Sequence, residues 1–283
     1  MRLNAYVLAG DPAWIAQSIG SYYEHVERIV VSYDRSGRSW SGAPLSIEES
    51  LARIARADPD GKVTLLPGDH VRTDGHVLST ETRQRQAALD EASRGADWVV
   101  QLDTDEIMPS MPSALAHLEV ARSRGARAME FPARMIYART RSGTFLEHCG
   151  RFWNPLSGFP GPVIIAAGAQ LSHARQSQTS PLYRVDVAPW NTDPAHPFRT
   201  TVHAVIPRSH AIIHMSWVRT EAQMAEKSVV SGYASSRDWD ADLRRWRRRA
   251  RHPWATTLSA PVTRDPFSRF RVVRIPEFAG SAP

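Results

Sequence analysis

The chain has very few cysteines and lysines, and it lacks long apolar runs. Cys149 is the only cysteine among 283 residues, so no disulfide can form within the chain and no cluster of thiolates can hold a metal. Lysine occurs only at Lys62 and Lys227, which leaves 33 of the 35 basic residues as arginine. No apolar run approaches the ~20 residues that a helix needs to cross a bilayer. We therefore expect a cytoplasmic protein without a membrane span.

What is present is typical of a globular protein. Hydrophobic residues make up 42% of the chain and charged residues 23%. The first stretch, MRLNAYVLAGDPAW, is too short and too polar for a signal peptide and predicts a first strand. The length suits one large domain or two small ones, and no internal repeat or clear linker divides it.

Positive charge is concentrated near the C-terminus. Residues 1–233 hold 24 basic and 24 acidic side chains, whereas residues 234–283 hold 11 arginines and 5 acids, which accounts for the net charge of +6. The densest part is RRWRRRARHPW, residues 244–254. Such a segment can bind nucleic acid or anionic lipid. A solvent-exposed C-terminal helix is the simpler interpretation, so we expect no nucleic-acid partner and keep peripheral membrane contact as an alternative.

Strand and helix signals alternate over the first 110 residues. Apolar segments at 3–10, 26–34, 62–68 and 97–103 predict four strands. Helices are predicted after Asp11-Pro12, over 46–57 from a capping box, and over 80–94 up to a glycine. Alternation of this kind predicts an α/β fold with a mostly parallel, Rossmann-like sheet covered by helices on both faces.

The pattern becomes irregular after Pro112. A helix is predicted to about residue 124, a strand or hairpin arm over 126–139, and a capped helix from Thr220 and Gln223 to about residue 230. Between them, residues 150–215 are rich in Gly, Pro and Trp with broken strand signals. We therefore divide a single domain into residues 1–110, residues 111–233 and an Arg-rich C-terminal helix or tail, 234–283.

Acidic residues follow three of the predicted strands. Asp11 follows the first strand, Asp34 ends the second and Asp103 ends the fourth. The carboxyl ends of parallel strands meet at one rim of a sheet, where ligands of open α/β folds bind. The sequence therefore predicts a ligand site at this rim.

The fourth strand runs directly into three acids, Asp103, Asp105 and Glu106, in the stretch WVVQLDTDEIM. Carboxyls this close must either have raised pKa values or be neutralised by a cation. Carboxylates suit Mg²⁺ or Mn²⁺, ions that keep positions open for phosphates. A surface turn or helix N-terminus is the plain alternative. The buried strand before the acids and Asp34 on the same edge favour the metal site.

The stretch ETRQRQAALDEASRGADWVVQLDTDE, residues 81–106, resembles GT-A glycosyltransferases of family 2. In that family a helix with an Arg-Asn-like pair and small residues leads through a glycine turn into a strand that ends in D-x-D. Arg85-Gln86, Ala87-Ala88, Gly95 and Asp103-Thr104-Asp105 occupy those positions in order. The resemblance covers residues 3 to about 110 well and the second half loosely. It implies a GT-A fold with an irregular, mixed second half.

The resemblance also implies an activity. Family 2 enzymes move a sugar from a nucleoside diphosphate, most often UDP, to an acceptor hydroxyl with the help of Mn²⁺ or Mg²⁺. Residues 1–110 would bind the nucleotide sugar, and residues 111–233 would bind a carbohydrate, lipid-linked or small-molecule acceptor. The implied donor-binding residues are Ala9, Asp11, Asp34, Arg83, Arg85, Asp103 and Thr104. The implied metal ligands are Asp103, Asp105 and His214.

The general base is not marked by a family motif, because neither a later acidic pair nor Q-x-x-R-W is present. Deprotonation of an acceptor hydroxyl requires a carboxylate in an inverting enzyme. Glu147, which lies between aromatic residues in TFLEHCGRFW, is the first candidate and Asp186 in YRVDVAPW is the second. Trp217 and other aromatic residues of the second half could stack on an acceptor sugar or pack in the core.

Two other functions remain open. A nucleotidyltransferase of related fold usually carries a glycine-rich basic loop after its first strand, and AGDPAW has no such loop. A non-catalytic interaction protein would use the Arg-rich tail to bind nucleic acid or an anionic membrane. The intact acids Asp34, Asp103, Asp105 and Glu106 argue against this second alternative.

Overall fold

The larger of two sheets carries the parallel strands that the sequence predicts. The computed structural model describes residues 1–71, 76–178, 181–230 and 237–278. The strands of the large sheet are β1 (Leu3–Leu8), β2 (Arg28–Asp34), β3 (Val63–Gly68), β4 (Trp98–Gln101), β6 (Ala128–Glu130), β9 (Ile164–Ala166), β10 (Leu182–Asp186) and β11 (Ala204–Val205). Their order is β11-β10-β6-β9-β4-β1-β2-β3. Only β9 runs antiparallel to its neighbours, β4 and β6, so the predicted mostly parallel sheet is confirmed.

Helices cover both faces of this sheet. The helices that do so are α1 (Ile15–Gly20), α2 (Ile47–Arg56), α3 (Val77–Ser93) and α4 (Met111–Ser123). The other helices, α5 (Glu221–Val230), α6 (Trp239–Arg251) and α7 (Pro253–Leu258), pack elsewhere. Leu89 of α3 packs with Tyr6, Val30 and Val99 on one face. Residues of α1, α2 and α4 pack with alternate residues of β1 and β2 on the other face. Adjacent strand residues point to opposite faces, so strands buried on both sides need apolar residues throughout.

The starts of the helices agree only in part with the capping signals. Thr220 and Gln223 exchange the two hydrogen bonds of a capping box, at 3.2 and 2.9 Å, and α5 follows. Asp11 does not cap α1, which begins later at Ile15, and instead its Oδ1 accepts a bond from the backbone of Ala13. An acid before a proline can stabilise a local turn as well as a helix start, which explains this difference.

The second sheet corrects the prediction of one strand or hairpin arm over residues 126–139. Strand β6 belongs to the large sheet, whereas β7 (Ala133–Arg139) pairs in the second sheet. That sheet also contains β5 (Glu106–Ile107), β8 (Phe145–His148), β12 (Ile212–His214) and β13 (Phe270–Val273), in the order β13-β8-β7-β12-β5. Pro132 lies between β6 and β7 and has no N–H for a continuous ladder.

Strand β5 contains the last of the three acids and joins the two halves of the chain. Glu106 pairs with His214 in antiparallel register, and the backbone N–H of Met215 donates to the carbonyl oxygen of Asp105 at 2.8 Å. The acidic turn is therefore held between the large sheet and residues more than 100 positions later.

One face of the Arg-rich helix α6 packs against the second sheet, while Arg244, Arg245, Arg248 and Arg251 are exposed, so the expected solvent-exposed helix is buried along one side only. Trp246 of α6 is buried, and its indole N–H lies 3.1 Å from the carbonyl oxygen of Tyr137 and 3.2 Å from that of Trp217. Strand β13 pairs with β8. Among the described residues, no helix combines the length and the apolar character needed to cross a membrane.

Candidate functional site

The rim predicted from the sequence brings together the ends of β1, β2 and β4. These strands run parallel, with Leu8 beside Ser32 and Tyr6 beside Gln101. Ala9–Asp11 and Asp103 therefore leave the sheet on the same side as Asp34. The acids at this rim nevertheless differ in what they contact.

Asp34 is occupied by the turns around it. It is 5% exposed, and its carboxylate accepts hydrogen bonds from the backbone of Ser36, His70 and Val71 at 2.8–3.0 Å and from the Ser36 hydroxyl. Burial opposes ionisation, but these bonds outweigh it and lower the pKa of Asp34. The structure thus gives Asp34 a role in holding the ends of β2 and β3, and its predicted contact with a nucleotide stays a prediction.

Asp103 pairs with an arginine on α3. Arg85 Nη2 lies 2.8 Å from Asp103 Oδ1, and Arg85 Nε lies 2.9 Å from Glu81. Arg85 is buried, whereas the side chain of Asp103 is 34% exposed. Burial would raise the pKa of Asp103, but Arg85 and then Arg175 hold it below its usual value. Arg85 and Asp103, each predicted separately to bind the donor, are therefore brought together at the rim.

Asp105 lies between three basic side chains from the second half. His214 Nε2 is 3.3 Å from Oδ1, while Arg219 Nη2 and Lys227 Nζ are 3.2 and 3.9 Å from Oδ2. Arg219 Nη2 also contacts Asp11 Oδ2 at 2.6 Å. Burial opposes the ionised form of Asp105, but these cations lower its pKa far below the usual range. Asp105 in turn raises the pKa of His214 against the effect of burial.

Glu106 forms a buried, two-pronged ion pair with Arg175. The guanidinium nitrogens lie 2.5 and 2.6 Å from its two carboxylate oxygens, and both side chains are at most 2% exposed. Arg175 also donates to the carbonyl oxygen of Gln101 at 3.0 Å. Arg175 therefore links the end of β4 to the acidic turn. Because Glu106 is buried in this ion pair, it is not accessible to a ligand.

The acids are thus compensated by the chain's own cations. The proposed metal ligands Asp103, Asp105 and His214 do not fit a divalent ion as they stand, because each is engaged in an ion pair and the raised pKa of His214 favours its protonated, non-ligating form. Across the described ranges, no group of three or more His, Cys, Asp or Glu side chains is arranged to hold a metal ion. The metal site expected from sequence is therefore not formed by these side chains as they stand, and it stays a prediction.

Several buried nitrogen atoms around the acids make no hydrogen bond to any described residue. Arg85 Nη1, Arg219 Nε and Nη1, and His214 Nδ1 have no hydrogen-bond partner within the part of the chain that the structure describes. Buried donors without partners are destabilising unless a ligand or water satisfies them. Because three of these atoms belong to arginines that are at most 7% exposed, an anion with several acceptor oxygens is the ligand that suits them.

The other predicted donor residues lie around this centre in different settings. Ala9 and Thr104 are buried, at 2% and 7% exposure. Arg83 is exposed, and its Nη2 lies 3.2 Å from the hydroxyl of Thr80. It lines an open cleft of about 480 Å³ between the start of α3 and residues 170–173. Asp103, Asp105 and Glu106 do not line this cleft.

The two candidate bases are enclosed by other contacts. Glu147 is buried between Arg134 Nε at 2.9 Å, Arg271 Nε at 3.5 Å and the guanidinium of Arg208. These ion pairs must break before Glu147 can accept a proton from an acceptor, so the structure does not favour it as a base.

Asp186 is fully buried and closes a turn. Its carboxylate accepts bonds from the backbone of Val187 and from the backbone and hydroxyl of Thr192, at 2.6–2.9 Å. Burial raises its pKa, but its oxygens are used within the turn. The structure therefore favours a structural role for Asp186 as well.

Sequence reasoning did not identify Arg175, Arg219 and Lys227 as partners of the acids. A signal existed for Lys227, because it is one of only two lysines and lies on a helix that begins with a capping box just after His214. No local pattern distinguishes Arg175 or Arg219 from the other 31 arginines.

Two solved structures show a distant likeness to this chain. No family model matches the chain, and no curated protein matches it by sequence. One similar structure is the 4-diphosphocytidyl-2C-methyl-D-erythritol synthase of Anaerococcus prevotii, with 9% identity and a TM-score of 0.32 over 59% of this chain and 70% of that one. Another is the mannose-6-phosphate isomerase of Helicobacter pylori, with 10% identity and a TM-score of 0.31 over 51% and 58%. At such scores the likeness carries no inference about function.

Proposed function

We propose that the chain is a glycosyltransferase of the GT-A type that takes its sugar from a nucleoside diphosphate. The observation that carries this proposal is the convergence of Arg85, Arg219, Lys227 and His214 on the acids at the carboxyl rim of the parallel sheet. The unpartnered N–H groups among them suit the oxygens of a diphosphate. The resemblance of residues 81–106 to family 2 supplies the reaction class.

The proposed reaction breaks the bond between the anomeric carbon and a phosphate oxygen and forms a bond from the acceptor oxygen. Negative charge then grows on the departing nucleoside diphosphate, while the acceptor hydroxyl loses its proton to a base. Preorganised cations next to the leaving oxygens lower the barrier of such a step. Arg219 and Lys227 are the groups to which we assign this role.

Lys227 is suited to respond to an arriving anion. Burial lowers its pKa although Asp105 raises it, and its Nζ stands 3.9 Å from Asp105 Oδ2, beyond hydrogen-bond distance. The ammonium group of Lys227 is therefore available to bind a diphosphate, because no hydrogen bond to Asp105 has to break first. Asp105 keeps His214 and Arg219 as partners when Lys227 turns to the ligand.

The decisive experiment measures nucleotide binding by calorimetry, first with UDP, GDP, dTDP and CDP on the wild-type chain. With the tightest of these, Lys227→Gln should bind at least about tenfold more weakly, a loss of ~1.4 kcal/mol. Lys62→Gln is the matched control, because Lys62 Nζ donates to the carbonyl oxygen of Tyr23 and lies over its ring, at the opposite end of β2 from the rim. We expect it to bind like wild type, and equal affinity in both variants would contradict the assignment.

Product analysis separates transfer of a sugar from transfer of a nucleotide. A glycosyltransferase releases a nucleoside diphosphate from the sugar nucleotide in the presence of an acceptor. A nucleotidyltransferase instead consumes a nucleoside triphosphate and a sugar phosphate and releases pyrophosphate. Pyrophosphate release with no turnover of sugar nucleotides would replace our proposal with that alternative.

A further inference from the structure

A second cavity, of about 440 Å³, lies between the second sheet and α6, and Asp103, Asp105 and Glu106 do not line it. Tyr137 of β7, His148 of β8 and Trp217 line one side, and Arg245, Arg249 and Phe267 line the other. The Arg-rich helix thus contributes one wall of a cavity, whereas its sequence suggested a solvent-exposed face.

Flat aromatic rings form much of this cavity. Tyr137 and Trp217 stack with their ring centres 5.6 Å apart and their planes 20° apart, and Trp239 stacks on Trp217 at 5.9 Å. Phe267 is 52% exposed. Tyr137, Trp217 and Trp239 are thus stacked on one another, and Phe267 is the exposed ring that can contact a ring of a ligand, such as the C–H face of a sugar or an aryl group.

The charges of the cavity favour an anionic ligand. Three arginines face two carboxylates, and Asp242 already pairs with both Arg237 and Arg245, at 3.1 and 2.5 Å. Asp265 is held by the backbone of Phe267 and the hydroxyl of Ser268. His148 adds no charge at neutral pH, because burial lowers its pKa to about 4.

Arg249 is the arginine in the cavity with the most freedom to bind. Its Nη1 donates to the Tyr137 hydroxyl at 3.3 Å, and its guanidinium lies over the rings of Phe270 and Tyr137. Within the described segments of the chain, no carboxylate lies at ion-pair distance from it. A guanidinium held flat by rings can bind a carboxylate or phosphate through two parallel hydrogen bonds.

The cavity lies close to the acidic turn. The segment His214–Trp217 contacts Asp105 at its first two residues, through His214 Nε2 and the backbone of Met215. The same segment reaches the cavity at Trp217. Three residues of extended chain span at most about 11 Å, so the cavity and the rim where a donor sugar would lie are neighbouring parts of the molecule.

We propose that this cavity holds the sugar acceptor and that the acceptor combines a ring with an anionic oxygen group bound by Arg249. The assignment as acceptor rests on the proposed glycosyltransferase function. The chemistry of the cavity, a ring next to an anion, depends only on the aromatic and arginine walls.

The test uses para-nitrophenyl glucuronide as the anionic probe and para-nitrophenyl glucoside as its neutral counterpart, with the full chain and calorimetric detection. Wild type should bind the glucuronide at least about fivefold more tightly than the glucoside, as expected for one charge-assisted contact. Arg249→Gln should remove this preference. Arg248→Gln is the matched control on the same helix, because Arg248 is exposed and does not line the cavity.

The outcomes separate this inference from the proposed function. Equal affinity for the two probes, or an unchanged preference in Arg249→Gln, would overturn the cavity assignment even if nucleotides bind. A preference that depends on Arg249, together with unchanged nucleotide affinity in that variant, supports it. An Arg249-dependent preference in a chain that binds no nucleotide would overturn the transferase function and the acceptor role with it.

Discussion

Neighbouring carboxylates in the acidic turn differ in how deeply they are buried. Glu106 is fully buried against Arg175, while Asp103, three residues earlier, keeps a third of its side chain exposed. Asp105 lies between them, in contact with both the large sheet's rim and the second half of the chain. A run of three acids therefore supplies one structural ion pair and two carboxylates that border the candidate site.

Loss of the Glu106 carboxylate should destabilise the fold. Glu106→Gln leaves the guanidinium of Arg175 buried without its counter-charge, which typically costs about 3–5 kcal/mol. The free energy of unfolding in urea measures this loss. The double variant Glu106→Gln, Arg175→Met should recover much of it, because no unpaired charge remains. A single variant as stable as wild type would contradict the buried ion pair.

The stability of the chain should depend on His148 in mildly acidic solution. The pKa of His148 is lowered to about 4 in the fold, against about 6.5 in an unfolded chain. Between these values the unfolded state binds the extra proton, so stability should fall as pH drops from 6.5 toward 4, by at most about 3 kcal/mol. His148→Phe should flatten this part of the pH profile. An equally steep profile in that variant would assign the effect to other groups.

At the level of strands and helices, local signals were informative for the strands of the first half but only for some of the helix starts. The apolar strands of the first 110 residues and the capping box at Thr220 appear as predicted. The split of residues 126–139 into β6 and β7 was missed because both pieces are apolar. Only the tertiary fold decides that one pairs with β10 and the other with β12.

In the candidate site, too, the sequence did not reveal contacts between distant segments. The acids were visible because they follow a strand, whereas their partners come from distant segments: Arg175 lies 69 positions from Glu106, and Arg219 lies 114 from Asp105. Among 33 arginines, charge alone does not reveal which ones turn inward. The sequence therefore suggested a metal where the fold supplies basic side chains.

The packing of α6 depends on one tryptophan. Trp246 is 7% exposed and donates toward two carbonyl oxygens of the second sheet region, whereas Trp254 in α7 is 68% exposed. Trp246→Ala should lower the free energy of unfolding by about 3–5 kcal/mol. Trp254→Ala, the matched control, should change it by less than about 0.5 kcal/mol. Similar effects of the two substitutions in urea unfolding would show that α6 is not docked in this way.

On the scale of the whole molecule, basic side chains gather at two places, the rim and the second cavity. The rim site is nearly balanced, since Arg85, Arg219, Lys227 and His214 face Asp11, Asp103 and Asp105. The excess of the C-terminal region adds positive charge to the second cavity through α6. A donor diphosphate and an anionic acceptor would thus be bound by separate sets of cations.

This distribution leads to an expectation about metal dependence. Because cations of the chain already neutralise Asp103 and Asp105, a divalent ion would have to displace Arg85, Arg219 or Lys227 to bind them. We therefore expect UDP affinity in EDTA to stay within about threefold of that in Mn²⁺, a difference below ~1 kcal/mol. Calorimetry with the same protein preparation makes the comparison.

An increase of more than about tenfold in Mn²⁺ that Asp105→Asn removes would contradict this expectation and restore the metal site suggested by the D-x-D pattern. Tight binding in EDTA that Lys227→Gln weakens would instead identify the protein's own cations as the groups that hold the diphosphate.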